Sequence, residues 1–272
     1  MEKFLEHQIG FDEYITGNRF IDICEESGAT FCKTDYLPSF RDEEIKLFVT
    51  HNSDFHIDEN MIAKWSPKTT CWLAQNKDYD TPELHGIPIG LENMVRRKTK
   101  TAQYGTYSSE VPGALQKAQL IDRINSLNIP KNGDVYMNFN ISTCPNERQA
   151  VWNKFANESW VTSTQGLPMS QFYFDLAAHK FAISPRGNGV DCHRTWESLY
   201  LRTIPIVKTS IHMNEFLDLP ILFVKDWSEL NYNRMLEFYE KVQNEFFNLD
   251  KMKISYWRQR ILNAKNTCLI NG

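Results

Sequence analysis

From Lys180 to Val207 the chain passes through four pieces in quick succession. They are an apolar strand, Lys180-Phe181-Ala182-Ile183-Ser184, a loop, Pro185-Arg186-Gly187-Asn188-Gly189-Val190-Asp191, a helix over Cys192 to Leu201, and a second strand, Ile204-Pro205-Ile206-Val207. Strand, short loop, helix and strand make a β-α-β unit, because a parallel neighbour is reached only by a crossover over the sheet face. Both strands lack a polar alternation, as strands covered on both faces do. The fold class is α/β.

The same rhythm runs through the rest of the chain. Lys46-Leu47-Phe48-Val49-Thr50 reads as a buried strand that ends in the loop His51-Asn52-Ser53-Asp54. Thr70 to Ala74 reads as a second, followed by Gln75-Asn76, and Ile87-Pro88-Ile89-Gly90 as a third. Residues 94–106, with the basic run Arg96-Arg97-Lys98-Thr99-Lys100, read as an exposed loop. Ala114 to Leu127 has helical spacing, and Asn128 to Gly133 is a break rich in turn residues. That break divides an N-terminal lobe, 1–130, from a C-terminal lobe, 131–272, whose last helices can pack back on the first. The second lobe opens with the strand Asp134 to Asn140 and a helix that Pro145 and Glu147 start. Phe172 to Ala178 reads as a short helix, Leu219 to Val224 as a strand, and Tyr232 to Phe247 and Lys251 to Ala264 as amphipathic helices.

With 272 residues, 42% of them hydrophobic, the chain can bury a sizeable core. A net charge of −4 gives no basic excess, which argues against a nucleic-acid partner. Cysteines at 24, 32, 71, 144, 192 and 268 form no C-x-x-C pair and read as reduced thiols. Neither a signal peptide nor an apolar run long enough to span a membrane occurs, so a cytoplasmic protein is expected.

The loop after the strand at 180–184 is where an open α/β sheet places a ligand. Gly187 and Gly189 permit close backbone approach and positive φ. The following helix offers free N–H groups to an anion, and Arg186 and Arg194 can grip phosphate oxygens through planar forks. Glu197 lies one turn beyond Arg194 on the same helix face, where a carboxylate can take a ribose diol. His193 can donate to a phosphate or to a sugar, and Asn188 and Asp191 complete the charged loop. These groups describe a nucleotide-diphosphate site that is neither a P-loop nor a dinucleotide fingerprint.

Phe181 to Val207 resembles the signature of exostosin-like (family 47-like) glycosyltransferases: an apolar strand into P-x-G, an Arg, a Glu three residues on, and an I-P-V/I strand. The short soluble members found in bacteria and large DNA viruses are the most similar. They also carry phrases like His51-Asn-Ser-Asp54, Trp72-Leu-Ala-Gln-Asn76 and Ile87 to Asn93. Where many members have Gly, this chain has Arg202. The resemblance implies a GT-B-like architecture, two Rossmann-like lobes with the active site in the cleft between them. It implies a nucleotide-sugar donor, a UDP-sugar by the family default, held in the second lobe, and a glycan or glycoprotein acceptor on the first. Glu197 would bind the ribose, and Arg186 and Arg194 the diphosphate. Asn138, Asn140 and Arg148 would face the same cleft, with Arg148 either a phosphate contact or a helix-surface arginine paired with an acid.

An inverting transferase needs a base for the acceptor hydroxyl. Asp54 is the first candidate, His51 the second and Glu92 the third. Asp54 can alternatively cap a helix near Ile57, and Glu92 can pair with Arg96. Asp78-Tyr79-Asp80 is a D-x-D triplet. In a GT-A transferase it would hold Mn²⁺ or Mg²⁺, and in this polar stretch it reads as a surface turn. No cofactor is expected otherwise. The remaining readings are a metal-dependent GT-A enzyme using Asp78 and Asp80, and a non-catalytic nucleotide- or carbohydrate-binding protein.

Overall fold

The computed structural model describes residues 3–39, 45–65, 69–92 and 113–270. The expected loop at 94–106 and its basic run lie outside them. The first sheet holds β1 (Thr30–Lys33), β2 (Ile45–His51), β3 (Thr69–Ala74) and β4 (Leu84–Gly86), parallel and in that order. Helix α1 (Gly17–Ser27) precedes it, capped by the Thr16 hydroxyl and ended by Gly28 at φ 74°. Short α2 (Glu59–Trp65) lies between β2 and β3, with Asp58, not Asp54, accepting from Met61 N at 2.9 Å at its start. Helix α3 (Gly113–Ser126) leads to the second half of the chain.

The second sheet is built from β5 (Gly133–Met137), β6 (Val161–Ser163), β7 (His179–Ile183), β8 (Ile204–Lys208) and β9 (Leu222–Val224). All pairings are parallel and the spatial order is β6-β5-β7-β8-β9. Helices α4 (Pro145–Phe155), α5 (Met169–Ala177) and α6 (His193–Tyr200) make the crossovers. The chain leaves β5 in one direction to β6 and returns to the other side as β7, so the order reverses between β5 and β7. A crevice opens at such a reversal, because the loops leaving the two strands diverge to opposite faces. Helix α7 (Tyr232–Asn244) follows β9, and α8 (Ile254–Ile270) returns to pack on α1, β2 and β3 of the first sheet.

Two Rossmann-like parallel sheets thus face one another across a cleft, a GT-B-like arrangement. Their core is continuous: Val49, Leu73 and Ile87 from the first half join Val135, Ile183 and Trp196 from the second in one buried cluster.

Several elements differ from the sequence reading. The third strand is Leu84–Gly86, not 87–90, since Pro88 has no N–H and Ile89 N donates to the Asp191 carboxylate. The strand from Asp134 stops at Met137, where its backbone turns into the cleft, and the one expected from Leu219 begins only at Leu222. Strands β1 and β6 are short and half-covered, and no apolar run announces them. Cys24, Cys32, Cys71, Cys144 and Cys192 carry free thiols. Among the described residues no helix is long and apolar enough to cross a membrane.

Candidate active site

The cleft has a volume of about 930 Å³ and opens at the strand-order reversal. Its floor is the carboxyl end of β5, Asn138 to Ile141, and the loop and first turn after β7, Gly187 to Glu197. The first half of the chain contributes Asp54, Ile89 and Lys117.

Arg194 sits in the first turn of α6 and forms part of the cleft wall. Its Nε and Nη1 are buried and have no hydrogen-bond partner. Burial lowers its pKa to about 10. Its guanidinium lies 5.4 Å from the centroid of the Phe139 ring, and that of Arg148 lies 5.5 Å from the same ring. A buried cation with unmet donors is costly to keep unless an anion completes it.

Glu197, one turn on, is buried and takes two hydrogen bonds on Oε1, from Lys117 Nζ at 2.7 Å and Tyr173 OH at 2.9 Å. Burial alone would raise its carboxyl. The Lys117 charge and these hydrogen bonds outweigh burial and bring it below the usual glutamate range. Lys117 also reaches Leu91 O at 3.1 Å and Glu92 Oε2 at 3.5 Å. His193 donates from Nδ1 to Gly90 O at 2.8 Å, and its Nε2 stands 3.7 Å from Glu92 Oε1. Glu92 is thereby engaged by Lys117 and His193.

The sequence reading misses Lys117 and Tyr173. A signal for the first exists: Ala114, Ala118, Ile121 and Ile124 form the buried stripe of α3, and Lys117 falls inside it. A lysine on an apolar face needs a counter-charge.

Other expected site residues are placed differently. Arg186 does not join Arg194 but turns to the other side of the loop. Its Nη2 donates to His56 Nε2 at 2.9 Å, and His56 Nδ1 donates to Asp78 Oδ2 at 3.1 Å. Arg186 and Asp78 line a separate cavity of about 220 Å³. Asp80 pairs with Lys77 at 2.7 Å, so each carboxylate of the D-x-D triplet has a partner of its own. Arg148 lines the cleft and is not a surface arginine. It is buried and donates to three carbonyls, Arg186 O and Asn140 O at 2.7 Å and Pro185 O at 3.2 Å. It braces the loops of β5 and β7 where they part. Asn140 lines the cleft, but its Oδ1 is occupied by Ser142 N at 3.0 Å and Ser142 Oγ at 2.8 Å. Asn138 donates to Thr164 Oγ1 at 2.9 Å.

His51 is fully buried in the first sheet. Its Nε2 donates to Pro88 O at 2.9 Å, Nδ1 lies 2.8 Å from Asn52 Oδ1, and burial lowers its pKa. A ring so enclosed cannot take a proton from an acceptor in the cleft. Asp54 is exposed, lines the cleft, and accepts from Asn188 Nδ2 at 3.2 Å across the gap.

Asp191 is a structural clamp. Its carboxylate accepts from Ile89 N at 2.8 Å, Trp196 Nε1 at 2.8 Å and Cys192 N at 2.8 Å. Asn76, left-handed at φ 59°, reinforces it. Its Oδ1 accepts from Val190 N at 3.0 Å and Asp191 N at 3.1 Å. Neither Gly187 nor Gly189 takes a positive φ. Gly187 leaves room for Arg148, and Gly189 for Asn76: a Cβ on Gly189 would stand 2.7 Å from Asn76 Nδ2 and 2.9 Å from Oδ1. Gly189→Ala is expected to push the Asn76 amide off both N–H groups. The cost is about 1–3 kcal/mol for the orphaned buried donors, read as a lower urea midpoint at unchanged slope. An unchanged midpoint would mean that the clamp contributes nothing.

No family model and no curated protein matches the sequence. Among solved structures the chain is similar to AviGT4, a glycosyltransferase involved in avilamycin A biosynthesis. The match covers 97% of this chain and 93% of that one at 9% identity, with a TM-score of 0.36. It is also similar to the GtfA/B complex, over 82% of this chain and 52% of that one at 10% identity, TM-score 0.32. A third is the pneumococcal O-GlcNAc transferase GtfA in complex with UDP and GlcNAc, over 81% and 49% at 8% identity, TM-score 0.31. The chain spans about half the length of the last two. At these scores the likeness is one of general α/β architecture, and the chemistry has to come from the cleft.

Proposed function

We propose that the protein is a glycosyltransferase. It moves a sugar from a nucleotide-diphosphate donor, a UDP-sugar, to a hydroxyl of a glycan or glycoprotein acceptor, with inversion and without a metal. The observation that carries this reading is the unpaired Arg194 guanidinium in the cleft wall at the strand-order reversal. The diphosphate lies on Arg194 and the N-terminus of α6, where a cation and free N–H groups stabilise the charge that develops on the leaving group. The bonds from Lys117 and Tyr173 converge on Glu197 Oε1, which leaves Oε2 to the ribose diol. Leu167, Met169 and Phe172 give one end of the cleft an apolar wall suited to a nucleobase face. Asp54 stands on the opposite lip as the base. Among the described residues it is the cleft-lining carboxylate of the first half that has no cation beside it, whereas Glu92 has the Lys117 ammonium at 3.5 Å.

Arg194→Met tests the assignment. The wild type is expected to gain melting temperature with UDP, since a ligand of the folded state stabilises it. The variant is expected to bind UDP about 10- to 100-fold more weakly by calorimetry, the worth of a charge-assisted contact. Without ligand it should melt no lower, because the removed donors had no partner. Unchanged UDP affinity would remove the donor site from this cleft. Hydrolysis of UDP-sugar by the wild type, measured with and without chelator, separates a transferase from a binding module and tests the independence from metal.

A further inference from the structure

At the amino ends of the second sheet, opposite the cleft, lie two cations that sugar transfer does not use. Helix α6 ends there in a reversed-turn cap, with Thr203 N donating to Ser198 O at 2.9 Å and Arg202 N to Leu199 O at 3.0 Å. Arg202 occupies the left-handed position of that cap at φ 57°. Glycine takes this position without a Cβ clash, and an L side chain there strains the backbone. A strained residue persists where its side chain serves something. Among the described residues, however, the Arg202 guanidinium makes two long hydrogen bonds, to Asn125 Oδ1 at 3.3 Å and Asn125 O at 3.5 Å.

Lys131 stands beside it. Its Nζ donates to Leu201 O at 2.9 Å and Thr203 Oγ1 at 2.6 Å, and its third N–H is left over. Burial, and secondly the Arg202 charge, hold the ammonium well below the ordinary lysine value. No carboxylate among the described residues pairs with either cation. Both line a cavity of about 210 Å³ whose other polar side chains are Asn125, Asn128 and Tyr239, and whose remaining walls include Ile129. Two adjacent basic side chains with spare donors and no acid beside them line one half-open cavity, and an anion there would favour the charged form of Lys131 that burial opposes.

We propose that this cavity binds a small oxyanion, a phosphate or the phosphate of a sugar phosphate, between Lys131 and Arg202. The anion supplies the counter-charge that both side chains lack and accepts the N–H groups they leave unused. The test uses Arg194→Met protein, so that binding in the cleft is weakened, and titrates inorganic phosphate and glucose 1-phosphate separately by calorimetry at constant ionic strength. One saturable site is expected, and the tighter of the two ligands identifies the source of the anion. Adding Arg202→Gly should weaken that site about ten-fold or more, and the melting temperature without anion should not fall, because the left-handed backbone is then relaxed. This substitution leaves the cap's backbone hydrogen bonds in place, so it decides the matter even if Lys131→Met fails to fold. No saturable binding of either ligand, or an affinity unchanged by Arg202→Gly, would overturn the proposal and leave Lys131 as a helix cap alone.

Discussion

Asp54→Asn should bind donor normally and turn over roughly 10²–10⁴-fold more slowly, the usual worth of a general base. Asparagine keeps the shape and can still meet Asn188 across the cleft, so the lip of the site is preserved. What it loses is the ability to accept the proton of the acceptor hydroxyl as that oxygen attacks the anomeric carbon. Donor affinity should hold, because on the proposed function the diphosphate and ribose contacts come from Arg194 and Glu197 on the facing wall. The measurement is kcat with saturating UDP-sugar and acceptor, alongside Kd for UDP. A fall in kcat with Kd unchanged locates the defect in the chemical step. Near-normal kcat would exclude Asp54. His193 would then come next, since its Nδ1 is committed to Gly90 O and its Nε2 carries the lone pair. His51 is not an alternative, being sealed inside the first sheet.

Lys117→Met should destabilise the protein by about 3–5 kcal/mol, because it strands a buried carboxylate rather than deleting a pair. The Lys117 and Glu197 side chains are 14% and 6% exposed, so solvent screens the pair little. The pH dependence should also reverse sign. In the wild type the Glu197 carboxyl is held below the ordinary glutamate value. Its stabilisation is complete above that ordinary value and is lost as pH falls through the folded one. Without Lys117, burial prevails and raises the carboxyl above the ordinary value. The folded variant then prefers the proton, and its penalty is largest near neutrality and relieved in mild acid. Urea melts from neutrality down through the ordinary glutamate value should show the variant strengthening in mild acid and the wild type weakening only below that value. Lys117→Met with Glu197→Gln should recover most of the loss. The same pH slope in wild type and single variant would show that the two charges are not coupled.

The sequence was most legible where one element explains itself. The apolar runs at 46–50, 70–74 and 180–184 are strands because nothing polar interrupts them, and their ends could be read from the turn residues behind them. The β7-loop-α6 unit put Arg194 and Glu197 on one wall because helix geometry fixes a three-residue spacing. Arg186 shows the limit of this reasoning. It lies in a loop, where no periodicity tells which side a side chain takes, and it turned toward His56. Arg148, read either as a phosphate contact or as a surface arginine, and Asp191, read as part of the charged loop, make hydrogen bonds that only the folded chain brings near, Arg148 to three carbonyls and Asp191 to Ile89 N, Cys192 N and the Trp196 indole. Lys117 meets Glu197 across 80 positions of sequence, a contact that depends on how α3 crosses between the two sheets.

The joint between the halves has a bearing on how substrates come and go. Ile89 N to Asp191, Asn76 to Val190 N and Asp191 N, Lys77 N to His212 Nδ1 and Lys77 Nζ to Glu215 all cross it, and α8 bolts the end of the chain onto the first sheet. A hinge motion wide enough to swallow a donor would have to break buried hydrogen bonds next to the phosphate loop itself. These contacts hold the two halves together at the cleft. Affinity is gained because little ordering remains to be done on binding. On the proposed function, water would then be excluded by the bound acceptor, not by closure of the two halves.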